Sequence, residues 1–253
     1  MDNYIVGNID FAQVALYTFW LFFFGLVAYL VREGMREGYP TVSEKDGKPI
    51  GKAFIFPAPA PKTFTRPDGS TITVPEPANE YELKAEPTGN FSGAPLTPTG
   101  DPLADGVGPA AYALRPEWPD RNAEGEPRLR PMRFDNHFSV AKEDADPRGF
   151  KVVCFDGESP GTVTDLWIDR AECLIRYIEV ETASGPKLLP MTLAIVKPGS
   201  QTVQVRSVSA EQFLRAPETV TGDEVTLREE DRIQAYFTGG TLYAHSGRTE
   251  PLI

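Results

Sequence analysis

The run FAQVALYTFWLFFFGLVAYLV, residues 11–31, holds 21 residues without a single charge. At about 1.5 Å of rise per residue, an α-helix over it spans about 32 Å, close to the roughly 30 Å of a bilayer's hydrocarbon core. Gln13 and Thr18 are its only clearly polar members, and Thr18 can bond its own backbone turn. Phe11 and Tyr29 sit near the ends, where aromatic rings favour the interface. A cleaved leader would need basic residues before the run and small residues after it. Residues 1–10 hold neither Lys nor Arg, and VREGMREG follows. A buried core helix seldom continues this far without a charge. The run therefore predicts one membrane-spanning helix over 11–33, with residues 1–10 as a short outer terminus. Arg32, Arg36, Lys45 and Lys48 all follow the span, which places the N-terminus outside the cytoplasm and the large remainder inside.

Charge narrows the partners. A formal net charge of −11 argues against nucleic acid, which requires a basic stripe, and against broad docking on anionic lipid. Cys154 and Cys173 form no CxxC pattern, and a cytoplasmic domain would keep them as reduced, buried thiols. His137 and His245 are too few and too far apart to suggest a metal cluster.

Two regions follow the anchor. Residues 34–148 read as extended chain rich in proline: PAPAPKTFTRP favours polyproline II and withholds ladder donors. A strand is expected at Ser70–Val74 after the Asp68-Gly69 turn. Phe54, Phe56, Phe64, Tyr81, Phe91, Tyr112 and Trp118 are spread through the segment, more rings than a solvated linker would use. It is therefore expected to lie against another surface, with a core of its own or a wholly floppy tether as the alternatives. Residues 149–253 change character. KVVCFD, GTVTDLWID, LIRYIEVE, KLLPMTLAIV and TVQVRSV are short β-rich runs between turn signals, which predicts a small antiparallel sheet or barrel. Alternation puts Leu166 and Ile168 on one face and Asp165, Trp167 and Asp169 on the other. Thr226-Leu-Arg-Glu229 is a capping box opening a late helix, which Gly239-Gly240 is expected to close.

No GxSxG, P-loop, HExxH or dinucleotide fingerprint is present. GDPLADGVG, though rich in glycine, follows no predicted strand and reads as a loop. Pattern alone thus reaches a single-pass membrane protein whose β domain binds a partner. An enzyme is disfavoured, because no nucleophile and base stand together.

The motifs themselves carry further. After the anchor come MREGYP, PKTF, PTGDPLADGVGPAAY, RLRPMR, GTVTDLWID, RYIEVE, LLPM and EEDRIQAYFTGGTLYA. In this order they closely resemble the H subunit of the purple-bacterial photosynthetic reaction centre, over essentially the whole chain. The part from about residue 150 is similar to the PRC-barrel fold. A membrane-anchored PRC-barrel adaptor unrelated to light is the competing reading, and PTGDPLADGVGPA and RLRPMR speak against it.

The resemblance implies a subunit that ligates no pigment itself. Its partners would be the L and M subunits, which carry bacteriochlorophyll, bacteriopheophytin, quinones and a non-haem iron. Lipid would surround its single helix, and a light-harvesting antenna is a further neighbour to consider. It would sit in the bacterial inner, photosynthetic membrane, cap the cytoplasmic side of L and M, and conduct protons to the secondary quinone. By position, Asp169, Glu172 and Arg176 fall where the family keeps an acidic cluster below that quinone, and Arg176 could hold one carboxylate ionised. A turn with solvated charges is the plainer alternative. At the proton entrance, where some relatives carry histidines, this chain has Asn122, Glu124 and Glu126. Glu124 and Glu126 could take protons there, or be only a solvated acidic loop.

Overall fold

The computed structural model describes residues 4–6, 9–36, 41–42, 49–50, 60–66, 69–74, 82–91 and 94–248. Phe54, Phe56, Tyr81 and Asp68 lie outside the described residues. The chain divides into two compact units: Met1–Tyr81 with Phe91–Gly93, and Glu82–Asn90 with Ala94–Ile253.

In the first unit the charge-free run forms helix α1, Phe11–Gly34. Asp10 caps it, accepting from the Gln13 amide at 2.7 Å, while the Gln13 side chain reaches back to the Asp10 amide. The Thr18 hydroxyl donates to the Val14 carbonyl at 2.8 Å, so the polar atom inside the run is satisfied by the helix itself. No α1 residue is buried within the protein, as a soluble core helix would be. Among the described residues it is the one helix long and apolar enough to cross a membrane. Further along, Lys62–Thr65 pairs with Thr71–Val74 in an antiparallel hairpin, so the expected strand is present from Thr71.

The second unit is mainly β. Its sheet comprises β1 (Leu129–Pro131), β2 (Lys151–Val153), β3 (Gly161–Asp169), β4 (Leu174–Thr182), β5 (Gly185–Pro190), β6 (Ala194–Lys197) and β7 (Thr202–Val205). Strand order is β5-β4-β3-β2-β7-β6, and β1 pairs with β3 beside β2. Every pairing is antiparallel except that of β2 with β7.

β3 is the centre of the domain. Asp165 through Asp169 are all buried, on both faces of the strand. Leu166 and Ile168 face a cavity of about 550 Å³ under the segment 138–147. Asp165, Trp167 and Asp169 instead carry polar contacts. The two faces read from the alternation are thus real, but neither is solvated. Val152, Ile178, Leu189, Val203, Phe213 and Phe237 complete the core with Leu166.

Three expectations need correction. GDPLADGVG is not plain loop: Asp101 caps a one-turn helix α2, Pro102–Asp105, with Pro102 at its start and Gly106 left-handed at φ 66°. A 3-10 turn, Gly108–Ala110, follows it. Next comes α3, Ala210–Leu214, and then the late helix α4, Leu227–Tyr243, which does not stop at Gly239-Gly240. A β-carbon on Gly239 would lie 2.5 Å from that of Ala110, and one on Gly240 2.6 Å from the Ser207 carbonyl oxygen. These glycines let α4 approach its neighbours rather than end. Thr226 and Glu229 do form the capping box. Last, only one cysteine is buried. Burial, reinforced by Asp156, pushes the Cys154 thiol up to about 12, whereas Cys173 is exposed in a turn at φ 55°.

Candidate functional site

Asp169 closes β3 and turns the chain. Its Oδ1 accepts from the amides of Ala171 and Glu172, each at 3.0 Å, which folds residues 170–173 into a tight turn. β4 then pairs back with a bulge: Trp167 faces Tyr177 and Ile168 faces Ile175, leaving Arg176 as the extra residue. A bulge re-aims its side chain. Here Arg176 donates to Asp169 Oδ2 at 3.2 and 3.3 Å, and to Glu172 Oε2 at 3.3 Å.

A second arginine arrives from the approach to β1. The Arg128 carbonyl accepts the Arg170 amide at 2.9 Å, fixing this segment beside the turn. Its Nε stands 2.9 Å from both oxygens of Asp169, and its Nη2 also contacts Glu172. Asp120 lies 3.4 Å from Arg128 Nη1. Burial by itself would raise the Asp169 carboxyl. Hydrogen bonds from Arg128, from the Glu172 amide and from Arg176 outweigh it and hold this carboxyl below its usual range. The Glu172 side chain is half exposed, so its charge is shared between two arginines and water.

The structure thus brings Asp169, Glu172 and Arg176 together. Glu126 stands in an adjoining chain of charges. The Asn122 side chain accepts the Glu124 and Glu126 amides and shapes a tight exposed turn. Glu126 pairs with Arg170, whose Nε lies 3.0 Å from the buried Asp135. Glu124 is exposed in that turn and does not join the cluster.

Beside the cluster lies a polar cavity of about 220 Å³. Arg115, Asp120, Arg128, Asp169, Arg176 and Glu230 supply its polar walls, with Leu129 and Leu227. Glu230 is half-buried in the first turn of α4. Burial raises its carboxyl, and Asp120 adds to this, against the pull of Arg176, Arg115 and Arg128. Sequence reasoning missed Arg115, Asp120, Arg128 and Glu230. One signal was available for the last. The capping box uses Glu229, which accepts from the Thr226 amide, and leaves the adjacent Glu230 outside it.

A second ionic network lies along β3. Arg133 donates to Asp165 at 3.0 Å and to both oxygens of Glu179 at 2.9 Å, and the Trp167 indole donates to Glu179 at 2.8 Å. Both carboxylates are buried. Every strong acceptor here is matched, so this network reads as a structural tie between β3, β4 and the segment after β1.

Among the described residues, no group of three or more His, Cys, Asp and Glu side chains is placed to hold a metal ion. The arrangement at Asp169 suits another task. One carboxylate is fixed as an anion, one is half in water, and a third is shifted toward the neutral form, all around one small polar space.

Comparison with known families divides the chain at this site. Residues 3–134 match the photosynthetic reaction centre, H-chain N-terminal region. Residues 140–212 match the PRC-barrel domain. Arg115, Asp120 and Arg128 fall in the first match and Asp169, Glu172 and Arg176 in the second, while Glu230 lies beyond both.

Proposed function

The chain belongs to the photosynthetic reaction-centre H-chain family, and from that premise we propose that it is the non-pigment subunit capping the cytoplasmic side of the L and M subunits. As a member it is a structural subunit of the reaction centre, and its apolar helix fits a membrane-anchored protein. In the finer reading the N-terminus is periplasmic and residues beyond the helix are cytoplasmic. Residues 34–148 lie along the partner subunits, a placement supported by the exposed side chains of Phe64, Phe91, Leu114 and Trp118. Apolar side chains exposed to this degree gain most when a partner covers them. The pigments, quinones and iron are held by those partners.

The proposed task at the cluster is proton delivery. A quinone reduced twice takes up two protons, and a bare anion in a low-dielectric site is costly. The cap must therefore exclude bulk water yet pass protons. Asp169, held ionised by Arg128 and Arg176, supplies a fixed anion that offsets the repulsion of these two cations for an approaching proton. Glu172, half exposed and on the same arginines, is the carboxylate that exchanges an arginine contact for a proton and then releases it. Exposed Glu124 and Glu126 add proton-collecting charge on the near surface. The observation that carries this reading is the shared Asp169–Arg128–Arg176–Glu172 cluster opening on a polar cavity.

Flash spectroscopy on the intact complex tests it. With Glu172→Gln, the first light-driven electron transfer should be largely unchanged and the proton-coupled second transfer slowed, because an amide cannot relay a proton. An unchanged second-electron rate from about pH 6 to 9 would remove Glu172 from the route.

A further inference from the structure

The cluster needs a supply of protons, and exposed Glu124 does not itself join it. The polar cavity touches Asp169 and Arg176 directly and is also walled by Asp120 and Glu230. The Asp120 side chain is 46% exposed, so this wall is open at the surface of the chain. We infer that the cavity between the first turn of α4 and the β3–β4 turn is the main proton inlet, with Glu230 as its relay carboxylate and Asp120 at its mouth.

Three features favour this route over the Glu124–Glu126 turn. The cavity is continuous with the Asp169 carboxylate, whereas Glu126 reaches the β3–β4 turn only through the Arg170 guanidinium, which has no acceptor and does not relay protons. A space of about 220 Å³ exceeds the roughly 30 Å³ share of one liquid water several-fold, and its walls offer both donors and acceptors. Finally, Glu230 has the environment a relay requires. On its own helix it stands one turn before Gln234, which donates to the buried Tyr177 hydroxyl at 3.4 Å. Arg115 and Asp120 face it from the preceding segment, Arg128 from the approach to β1, and Arg176 from β4. Burial outweighs these cations and shifts the carboxyl upward, toward the pH at which it both accepts and releases a proton. In the step, hydronium at the mouth gives a proton to the Glu230 carboxylate and leaves as water. Glu230 passes it through cavity water, past the Asp169 wall, to Glu172 and returns to the anion, so charge and protons balance over one cycle.

This inference rests on the proton-delivery reading, and the test separates the two. In intact reaction-centre complexes, the second-electron rate and flash-induced proton uptake are measured for Glu230→Gln, Glu230→Asp, Glu172→Gln and the Glu124→Gln/Glu126→Gln double variant. For Glu230→Gln the second-electron rate should fall about tenfold, less than the roughly 100-fold loss of a general acid, because cavity water still offers a slow path. The deficit should widen as pH rises and protons become scarce. Glu230→Asp should recover most of the rate, and the double variant should lose less than Glu230→Gln. A wild-type rate in Glu230→Gln while Glu172→Gln is slow would overturn the inlet and leave the proton-delivery reading standing. So would a larger loss in the double variant. Wild-type rates in both Glu172→Gln and Glu230→Gln would overturn the two together.

Discussion

Replacing Asp169 by Asn probes the cluster as a piece of physics, independent of any partner. The side chain keeps its shape, and Oδ1 can still accept from the Ala171 and Glu172 amides, so the turn itself survives. The negative charge under two guanidinium groups is lost, and an amide N–H₂ now faces the donors of Arg128 and Arg176. Charge-assisted hydrogen bonds contribute about 1.5–3 kcal/mol each, and a neutral acceptor keeps roughly half of that. Arg128 and Arg176 are 24% and 35% exposed and retain Glu172, so water and that carboxylate recover part of the loss. We expect a net destabilisation of about 2 kcal/mol, well below the roughly 3–5 kcal/mol of a fully buried broken pair. With a urea dependence of about 2 kcal/mol/M, the midpoint falls by about 1 M. The assay is urea unfolding of the detergent-solubilised chain, followed by fluorescence of Trp167, which is buried beside the cluster. The pH dependence supplies the sign. The folded Asp169 carboxyl lies below its unfolded value of about 3.9, so its stabilisation is complete above that value and is lost as pH falls through the folded one. The gap between wild type and variant should be full at pH 7 and close in acid. A variant that unfolds with the wild type at pH 7, or a gap that persists unchanged at about pH 2, would refute the reasoning.

Other outcomes follow from the same structure. Gly239→Ala adds a methyl 2.5–3.0 Å from Ala110, including its backbone; the overpacking of about 1–3 kcal/mol should outweigh a helix-propensity gain of about 1, and thermal unfolding should begin earlier. Arg133→Leu leaves Asp165 and Glu179 buried without their shared cation, at a cost of about 3 kcal/mol. Urea denaturation curves of wild type and variant at about pH 7 would record that deficit. Protease added to inside-out vesicles should digest residues beyond about 40 and spare them in right-side-out spheroplasts; the opposite pattern would reverse the orientation drawn from Arg32 and Arg36.

The features legible in the sequence are those set by neighbours along the chain. The α1 run needs only its own composition, the Thr226–Glu229 box only four residues, and the two faces of β3 only a period of two. Asp169 and Arg176 were placed together through a family resemblance, but the bulge that joins them is a fact of strand pairing, which alternation within one strand does not encode. Glu230 was illegible for a related reason: it meets Asp169 across more than sixty positions, around a cavity whose walls come from four segments. The Gly239-Gly240 pair misled because glycine marks both a helix end and a close approach, and only the position of Ala110 distinguishes them. Burial of Cys173 is what a reduced cytoplasmic thiol suggests, whereas its turn is set by the Asp169 side chain, which accepts the Ala171 and Glu172 amides.

The one parallel pairing, β2 with β7, also sets an order of assembly. The meander β3–β4–β5 needs only short turns and can form as soon as its residues are available. Joining Lys151–Val153 to Thr202–Val205 must instead close a loop of about fifty residues, an entropic cost on the order of 3 kcal/mol before any contact rewards it. Such non-local contacts slow folding. The domain should therefore collapse first around the hairpin that carries Asp169 and Arg176, and complete its sheet only when β7 arrives. Until then β2 is docked on one side alone, and a ribosome halted before residue 202 would hold a chain with its charge cluster formed and its sheet open.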